Sequence, residues 1–281
     1  MYKKIIMIII FIGFVSFSVS IPFSAETIQN QTPTLTPLSS TMTQPTFAEY
    51  ATTTWCPQCP DASEALYEIH TDGIYPINYV SLVSDVNQNA KDRTSQYFTV
   101  AIPTVYFDGG YVNFVGNGGS IPATKQAYID IIEDISNREI KQSISPQTQV
   151  TFQEPDLLSI AVTIENTGDQ FFIGFLKTYI TEITSRWNDF DGNPYHFALL
   201  DFAFNEFLFL PPNAEKTFEM QWVGGEDHNG ITFEDITIDN IDVKTAVFHW
   251  VPHLMKGYES NQFTQYYPAF YCVASDNALP N

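Results

Sequence analysis

The sequence has few basic residues, few cysteines and, after its first 25 residues, no long apolar run. Only 12 of its 281 residues are Lys or Arg, against 32 Asp or Glu, which gives a formal net charge of −20 at pH 7. Such a chain offers no basic face to neutralise phosphates, so nucleic acid is not an expected partner. Three cysteines are also too few to staple a scaffold of this length with disulfides.

What the sequence does contain is enough apolar surface for a sizeable core. Apolar residues make up 44% of the chain and aromatic residues 15%. Because such a composition can bury a core and the chain is long, we expect a folded protein of two domains.

Residues 1–25 have the pattern of a secretory signal peptide. Lys3 and Lys4 precede an apolar run, and Ser18 and Ser20 provide the small residues that a signal peptidase needs. Because the apolar stretch is also long enough to span a bilayer, an uncleaved N-terminal anchor is the alternative. Both interpretations place the rest of the chain outside the cytoplasm, either secreted or tethered at the extracytoplasmic face of the membrane.

Residues 26–46 are rich in Thr and Pro and show no apolar periodicity, which is typical of a linker. Asn30 begins an Asn-Gln-Thr triplet that could accept an N-linked glycan. We therefore expect the folded part of the chain to begin near residue 47.

Two cysteines stand at the start of a predicted helix. Cys56 and Cys59 are separated by Pro57 and Gln58, and apolar residues then recur at helical spacing from 62 to 69. The free N–H groups and the positive end of the helix dipole favour a thiolate at such a position. A zinc site is not expected, because the chain has no second Cys-x-x-Cys pair.

The apolar spacing between residues 47 and 140 predicts the order strand, helix, strand, helix, hairpin, helix. One strand of the hairpin contains Pro103, and Asp108-Gly109-Gly110 supplies its turn.

Two segments in this element order, WCPQCP at 55–60 and IPT at 102–104, resemble the thioredoxin superfamily. The wider pattern is similar to secreted prokaryotic thioredoxin-like proteins that carry a C-terminal immunoglobulin-like β-sandwich. The resemblance implies a thioredoxin-like α/β domain at 47–144 and thiol-disulfide oxidoreductase activity. It also implies a cis peptide bond before Pro103 and a buried acid that accepts the proton of the second cysteine, for which Glu49 is the nearest candidate.

The spacing of the cysteines assigns their roles. Cys56, being nearer the helix dipole and more exposed, is predicted to be the nucleophile, and Cys59 is predicted to resolve the mixed disulfide. Pro57 should rigidify the loop, and the neutral Gln58 favours an intermediate reduction potential. A static surface disulfide is the alternative interpretation.

Substrate binding is predicted around the same pair of cysteines. Trp55 and Ile102 would form an apolar rim on which a substrate chain lies. A cis Pro103 would leave a neighbouring backbone edge free to pair with that chain.

From residue 145 to the end, the apolar period changes from 3.6 to 2. Leu158, Ile160, Val162 and Ile164 alternate with polar or small residues, and turn sequences separate several further strand patterns. Six or seven short strands predict an immunoglobulin- or fibronectin-like sandwich at 145–281.

Three features of this second half are ambiguous. Asp189, Asp191 and Asn193 have the spacing of calcium ligands, but the rest of an EF-hand is missing, so a polar hairpin end is favoured. His249 and His253 are interpreted as ordinary residues at a strand end. Cys272 could be buried, pair with another chain or attack the active pair, and its aromatic neighbours favour burial.

The sequence therefore predicts an extracytoplasmic oxidoreductase that exchanges disulfides with cysteine-containing proteins. It would need an unidentified electron donor or acceptor, but no cofactor and no metal. The alternative is a non-enzymatic cell-surface binding protein, in which the first domain is a scaffold and the β-sandwich binds the ligand. The direction of exchange does not follow from the sequence.

Overall fold

The computed structural model describes residues 45–153 and 155–281. The predicted signal peptide or anchor, the glycosylation site at Asn30 and nearly all of the linker lie outside the described residues. No helix within the described residues has the length and apolar character needed to cross a membrane.

The first half follows the predicted order of elements. These are β1 (Thr46–Thr52), α1 (Cys59–Asp72), β2 (Ile77–Val83), α2 (Gln88–Gln96), β3 (Thr104–Phe107), β4 (Val112–Val115) and α3 (Ile121–Ser136).

The regular elements described in the second half are strands, apart from one short 3-10 helix. They are β5 (Ile144–Gln153), β6 (Leu157–Asn166), β7 (Phe172–Asn188), β8 (Pro194–Leu210), β9 (Ala214–Val223), β10 (Ile241–His249), β11 (His253–Glu259), β12 (Thr264–Ala269) and β13 (Cys272–Ala278), with a short 3-10 helix at Ile238–Asn240.

Local sequence signals explain where several elements begin and end. The side chain of Asn87 caps α2 by accepting a hydrogen bond from the N–H of Ala90 at 3.0 Å. Gly73 ends α1 in the left-handed conformation, with φ of 63°. In the β3–β4 turn, Gly109 has φ of 71°, and a Cβ there would lie 2.0 Å from the carbonyl oxygen of Phe270. That turn therefore requires glycine both for its backbone conformation and for its close approach to the C-terminal residues.

Eight strands, taken from both halves of the sequence, form a single mixed sheet. Its order is β13-β10-β7-β8-β2-β1-β3-β4. β1 and β2 run parallel, and β8 adds to the other edge of β2 in parallel, where Ser81 faces Ala198. β5, β6 and β9 form a separate antiparallel sheet, and β11 and β12 form a hairpin.

The predicted fold class is therefore wrong. The sequence led us to expect a thioredoxin-like α/β domain followed by a separate immunoglobulin-like sandwich, whereas strands from both halves share one sheet and only three α-helices are present in the described residues. Alternating apolar residues predict a strand and its buried face, but they do not specify which edge the strand joins. The boundary predicted between residues 144 and 145 stays a prediction, although the eight-stranded sheet includes strands from both sides of it.

Different elements cover the two faces of the large sheet. On one face, Tyr50 of β1 packs with residues of α1 and α3, and strands β7, β8 and β10 pack there against the three-stranded sheet. On the other face, Phe47 and Ala51 of β1 pack in clusters that include residues of α2 and β12. Because neighbouring residues of a strand point to opposite faces, β1 contributes to both environments.

Candidate functional site: a disulfide at the start of the first helix

Cys56 and Cys59 form a disulfide, with their Cα atoms 5.4 Å apart. Cys59 is the first residue of α1, and its N–H donates to the carbonyl oxygen of Cys56 at 3.2 Å. The N–H of Cys56 in turn donates to the carbonyl oxygen of Thr53 at 3.3 Å. Successive tight turns thus carry the chain from the end of β1 into the helix and bring the two sulfurs together.

The segment before the disulfide is fixed by a carboxylate from the loop between β2 and α2. Asp85 accepts hydrogen bonds from the backbone N–H of Thr54 at 3.0 Å and from its hydroxyl at 2.5 Å. This contact stabilises the turn that contains Trp55 and Cys56.

The two cysteines are unequally accessible. Cys56 is 3% exposed and Cys59 is 0% exposed, while Trp55 beside them is 64% exposed. Pro57 and Gln58 are also exposed. A molecule that approaches from solvent therefore meets Trp55, Pro57 and the edge of Cys56, but not Cys59.

Trp55 and Ile102, the two residues of the predicted apolar rim, lie close together. They line one cavity of about 250 Å³, with Val100 and Ala101 contributing to the same wall. The peptide bond between Ile102 and Pro103 is cis, as expected. Pro103 itself is buried, and its carbonyl oxygen accepts a hydrogen bond from the N–H of Gly116 at 2.7 Å.

Tyr50 is the polar group behind the disulfide. Its hydroxyl donates to the carbonyl oxygen of Cys59 at 2.8 Å. Burial raises the pKa of Tyr50 well above its usual value, and the neighbouring Tyr195 adds to that effect. The phenol therefore stays protonated and acts as a donor rather than as a base.

Glu49 is not the proton acceptor of Cys59. It is fully buried on the opposite face of β1 from Tyr50, where Arg93 of α2 binds both carboxylate oxygens at 2.6 and 2.7 Å. Tyr97 and Tyr179 donate to the same carboxylate at 2.5 and 2.8 Å. Burial alone would raise the pKa of Glu49, but the charge of Arg93 and these hydrogen bonds outweigh it and lower the pKa.

The sequence analysis missed the contact of Tyr50 with Cys59 and the role of Asp85. The alternation of side chains along β1 could have revealed the first, because a strand that turns Tyr50 towards α1 must turn Glu49 away. No local signal marks Asp85, whose contact depends on how the loop after β2 approaches Thr54.

The other ambiguous residues lie outside this site. Asp189 accepts hydrogen bonds from the N–H groups of Asp191 and Asn193, both at 2.9 Å, and so closes the β7–β8 turn. The ring of His253 stacks on Tyr271 at 4.0 Å. No group of three or more metal-ligating side chains is found among the residues that the structure describes.

Cys272 is free and buried, as the sequence favoured. Its thiol donates to the carbonyl oxygen of Ala274 at 3.3 Å. Burial raises the pKa of Cys272 well above its usual value, and the nearby carboxylate of Asp108 adds to the shift. A protonated, enclosed thiol is a poor nucleophile.

Comparisons with known proteins show a similarity of fold but do not assign the chain to a family. The sequence matches no protein family and no curated protein. The structure is similar to HBP35 of Porphyromonas gingivalis, with a TM-score of 0.58 and 13% identity over 84% of this chain and 75% of that one. It is also similar to an Agrobacterium tumefaciens protein, with a TM-score of 0.47 and 14% identity over 84% of this chain and 94% of the other. At these identities the likeness to HBP35 concerns the fold alone, and the lower score carries no argument.

These findings overturn the assignment to the thioredoxin superfamily. HBP35 is not named as a thioredoxin or as an oxidoreductase, and the described residues form a mainly β structure with one eight-stranded sheet shared by both halves rather than a separate α/β domain. The motifs at 55–60 and 102–104 are short. They suggested a family assignment that the fold of the whole chain does not support. What stands is the disulfide between Cys56 and Cys59.

Proposed function

We propose that the protein exchanges disulfides with other proteins through Cys56 and Cys59. The observation that carries the proposal is the paired cysteines at the start of α1, beside the exposed Trp55 and the cavity that Trp55 shares with Ile102. A disulfide that only stabilised the fold would not need an exposed tryptophan and an apolar cavity next to it.

The exchange runs in two balanced steps. From the oxidised state, a substrate thiolate attacks Sγ of Cys56, the more exposed cysteine, and a mixed disulfide forms while Cys59 leaves as a thiolate. A second substrate thiolate then attacks the substrate sulfur of the mixed disulfide and releases Cys56. The substrate dithiol loses two electrons and the protein gains them, and the reverse sequence reduces a substrate disulfide.

The side chains around the pair have distinct parts in this scheme. Trp55 and Ile102 hold an apolar stretch of the substrate chain, and Pro57 limits the movement of the loop between the cysteines. Because Glu49 lies on the other face of β1, it is not placed to take the proton of Cys59, and we expect slow exchange. The partners are cysteine-containing extracytoplasmic proteins, together with a donor or acceptor that resets the pair.

A second candidate is a binding protein in which the disulfide is static. The observations that favour it are the near-complete burial of both sulfurs and the position of Glu49 away from them. Under this hypothesis the pair would only fix the turn that carries Trp55.

One set of variants separates the two hypotheses. The purified protein should accelerate the reduction of insulin by dithiothreitol, and Cys56→Ala should abolish the acceleration. Cys59→Ala should instead accumulate mixed disulfides, because its nucleophile has no resolving partner. Cys272→Ser is the matched control and should behave as the parent. If the parent leaves the insulin rate unchanged and Cys59→Ala traps no protein, the exchange hypothesis is wrong and the static one stands.

A further inference from the structure

A second cavity lies on the opposite side of the large sheet from the disulfide. It has a volume of about 240 Å³ and lies between α2 and strands β7, β8 and β10. Arg93 and Lys177 bring positive charge to its lining, which contains no acidic residue. In a chain with a net charge of −20, a cavity whose charged lining residues are both cations departs from the general composition.

Arg93 is already compensated within the protein. Its guanidinium is held by both oxygens of Glu49, and the amide oxygen of Gln96 accepts a further hydrogen bond from it at 2.7 Å. It therefore contributes a fixed, neutralised wall rather than a free charge.

Lys177 is not compensated in this way. It is only 7% exposed, and its amine donates to the neutral side-chain oxygen of Asn205 at 2.5 Å. Among the described residues, no carboxylate forms a salt bridge with it. Burying a cation without a counter-charge is costly, so an anion that enters the cavity would stabilise the charged form of the amine.

The remaining walls of the cavity are aromatic. Phe248 is buried, whereas Phe175 and Phe270 are half-buried and meet edge to face with their ring centroids 5.4 Å apart. Three phenylalanine side chains next to one amine suit a flat apolar body that ends in a negative group.

We propose that this cavity binds a small carboxylate with an aromatic body, with the carboxylate at Lys177 and the ring among the three phenylalanines. The binding is independent of the disulfide chemistry, because the cavity and the cysteines lie on opposite faces of the sheet. Asn205 orients the amine, and its exposed position at the rim lets a ligand approach from solvent.

Binding of a carboxylate at Lys177 should be accompanied by a measurable change in the protonation of its amine. Burial lowers the pKa of Lys177 to about 7, and the positive charge of Arg93 adds to this shift, while the charge of Glu49 opposes it. At pH 8 the amine of the unliganded protein is largely neutral. Binding of a carboxylate favours the charged amine, so the amine of Lys177 should take up a proton from solution, approaching about one proton per ligand bound.

The test uses phenylacetate, acetate and the neutral 2-phenylethanol with the full chain, measured by isothermal titration calorimetry. Phenylacetate should bind with a Kd on the order of 1 mM or tighter, and each of the other two about tenfold more weakly. Titrations at pH 8 in two buffers of different ionisation enthalpy should show the proton uptake.

Two variants at the amine make the test specific. Asn205→Asp supplies Lys177 with an internal carboxylate and should weaken phenylacetate binding about tenfold or more, while Lys177→Met should remove the proton uptake. Asn277→Asp is the same substitution at an exposed position of β13 outside the cavity lining. It should change neither the affinity for phenylacetate nor the proton uptake. Asn205 is exposed, so its variant should fold even if Lys177→Met does not. No phenylacetate binding up to about 10 mM, or equal binding of 2-phenylethanol and phenylacetate, would overturn the proposal.

Discussion

The two faces of β1 show how one strand supports two different environments. Tyr50 points to the disulfide face, where its neutral hydroxyl contacts Cys59. Glu49, its neighbour in sequence, points to the opposite face and joins the buried network of Arg93, Tyr97 and Tyr179. Within β1, Tyr50 is therefore held by packing and a neutral hydrogen bond, while Glu49, on the opposite, charged face, is held by a buried ion pair with Arg93. The comparison teaches that a carboxylate one residue away along a strand can be irrelevant to a reactive group.

The largest effect should come from breaking the ion pair on the charged face. Arg93→Met leaves the carboxylate of Glu49 buried without its counter-charge, and the free energy of unfolding should fall by about 3–5 kcal/mol. Urea denaturation measures the loss. The double variant Glu49→Gln with Arg93→Met should recover most of it, because no buried charge remains. If the single variant loses less than about 1 kcal/mol, the network is not the main support of this face.

Acid should weaken the charged face in a defined direction. The pKa of Glu49 is lowered from its ordinary 4.5, so its contribution to stability is fully present above pH 4.5 and is lost as the pH falls through the folded-state pKa. Urea unfolding at a series of pH values from 7 down to about 3 measures this. The double variant should lack this part of the pH dependence, and an identical acid limb in both proteins would contradict the assignment.

A smaller effect is expected on the disulfide face. Tyr50→Phe removes the donor to the carbonyl oxygen of Cys59 and should lower the free energy of unfolding by about 1 kcal/mol. Tyr75→Phe is the matched control, because that hydroxyl donates to Glu133 at 2.8 Å at a half-buried position. Thermal or urea unfolding of both variants should rank Tyr50→Phe as the more damaging, and the reverse order would refute the role given to Tyr50.

The smallest effect should come from Cys272. Since its thiol is buried and its pKa is raised, Cys272→Ser should leave the rate of insulin reduction within the error of the parent. Peptide mapping under non-reducing conditions should find no disulfide from Cys272 to Cys56 or Cys59. A large loss of activity would make Cys272 part of the exchange chemistry.

Local signals in the sequence predicted what is local in the structure. The cis bond before Pro103 is present but was expected only from the resemblance, whereas a helix at the paired cysteines and the Asp108-Gly109-Gly110 turn occur where the local sequence placed them. Each depends on backbone preferences of a few adjacent residues, such as the freedom of glycine at positive φ.

The arrangement of the sheet could not be predicted in the same way. The pairing of Ser81 with Ala198 joins distant parts of the chain. The apolar patterns of β2 and β8 do not indicate that these two strands pair. The error over Glu49 has the same origin: its residue type suggested a proton acceptor, but only the face of β1 determines what it contacts. The Lys177 cavity was also missed, because it needs α2, β7, β8 and β10 to come together.

The pairing of β2 with β8 has a consequence for how the chain is made. A ribosome completes β2 more than a hundred residues before it reaches the partner strand, so one edge of β2 has no strand to pair with during most of synthesis. Open edges invite pairing with other chains, and contacts between distant residues form slowly. The nascent chain should therefore depend on chaperones until residue 210 has emerged, and a truncation before that point should aggregate rather than yield a smaller folded protein.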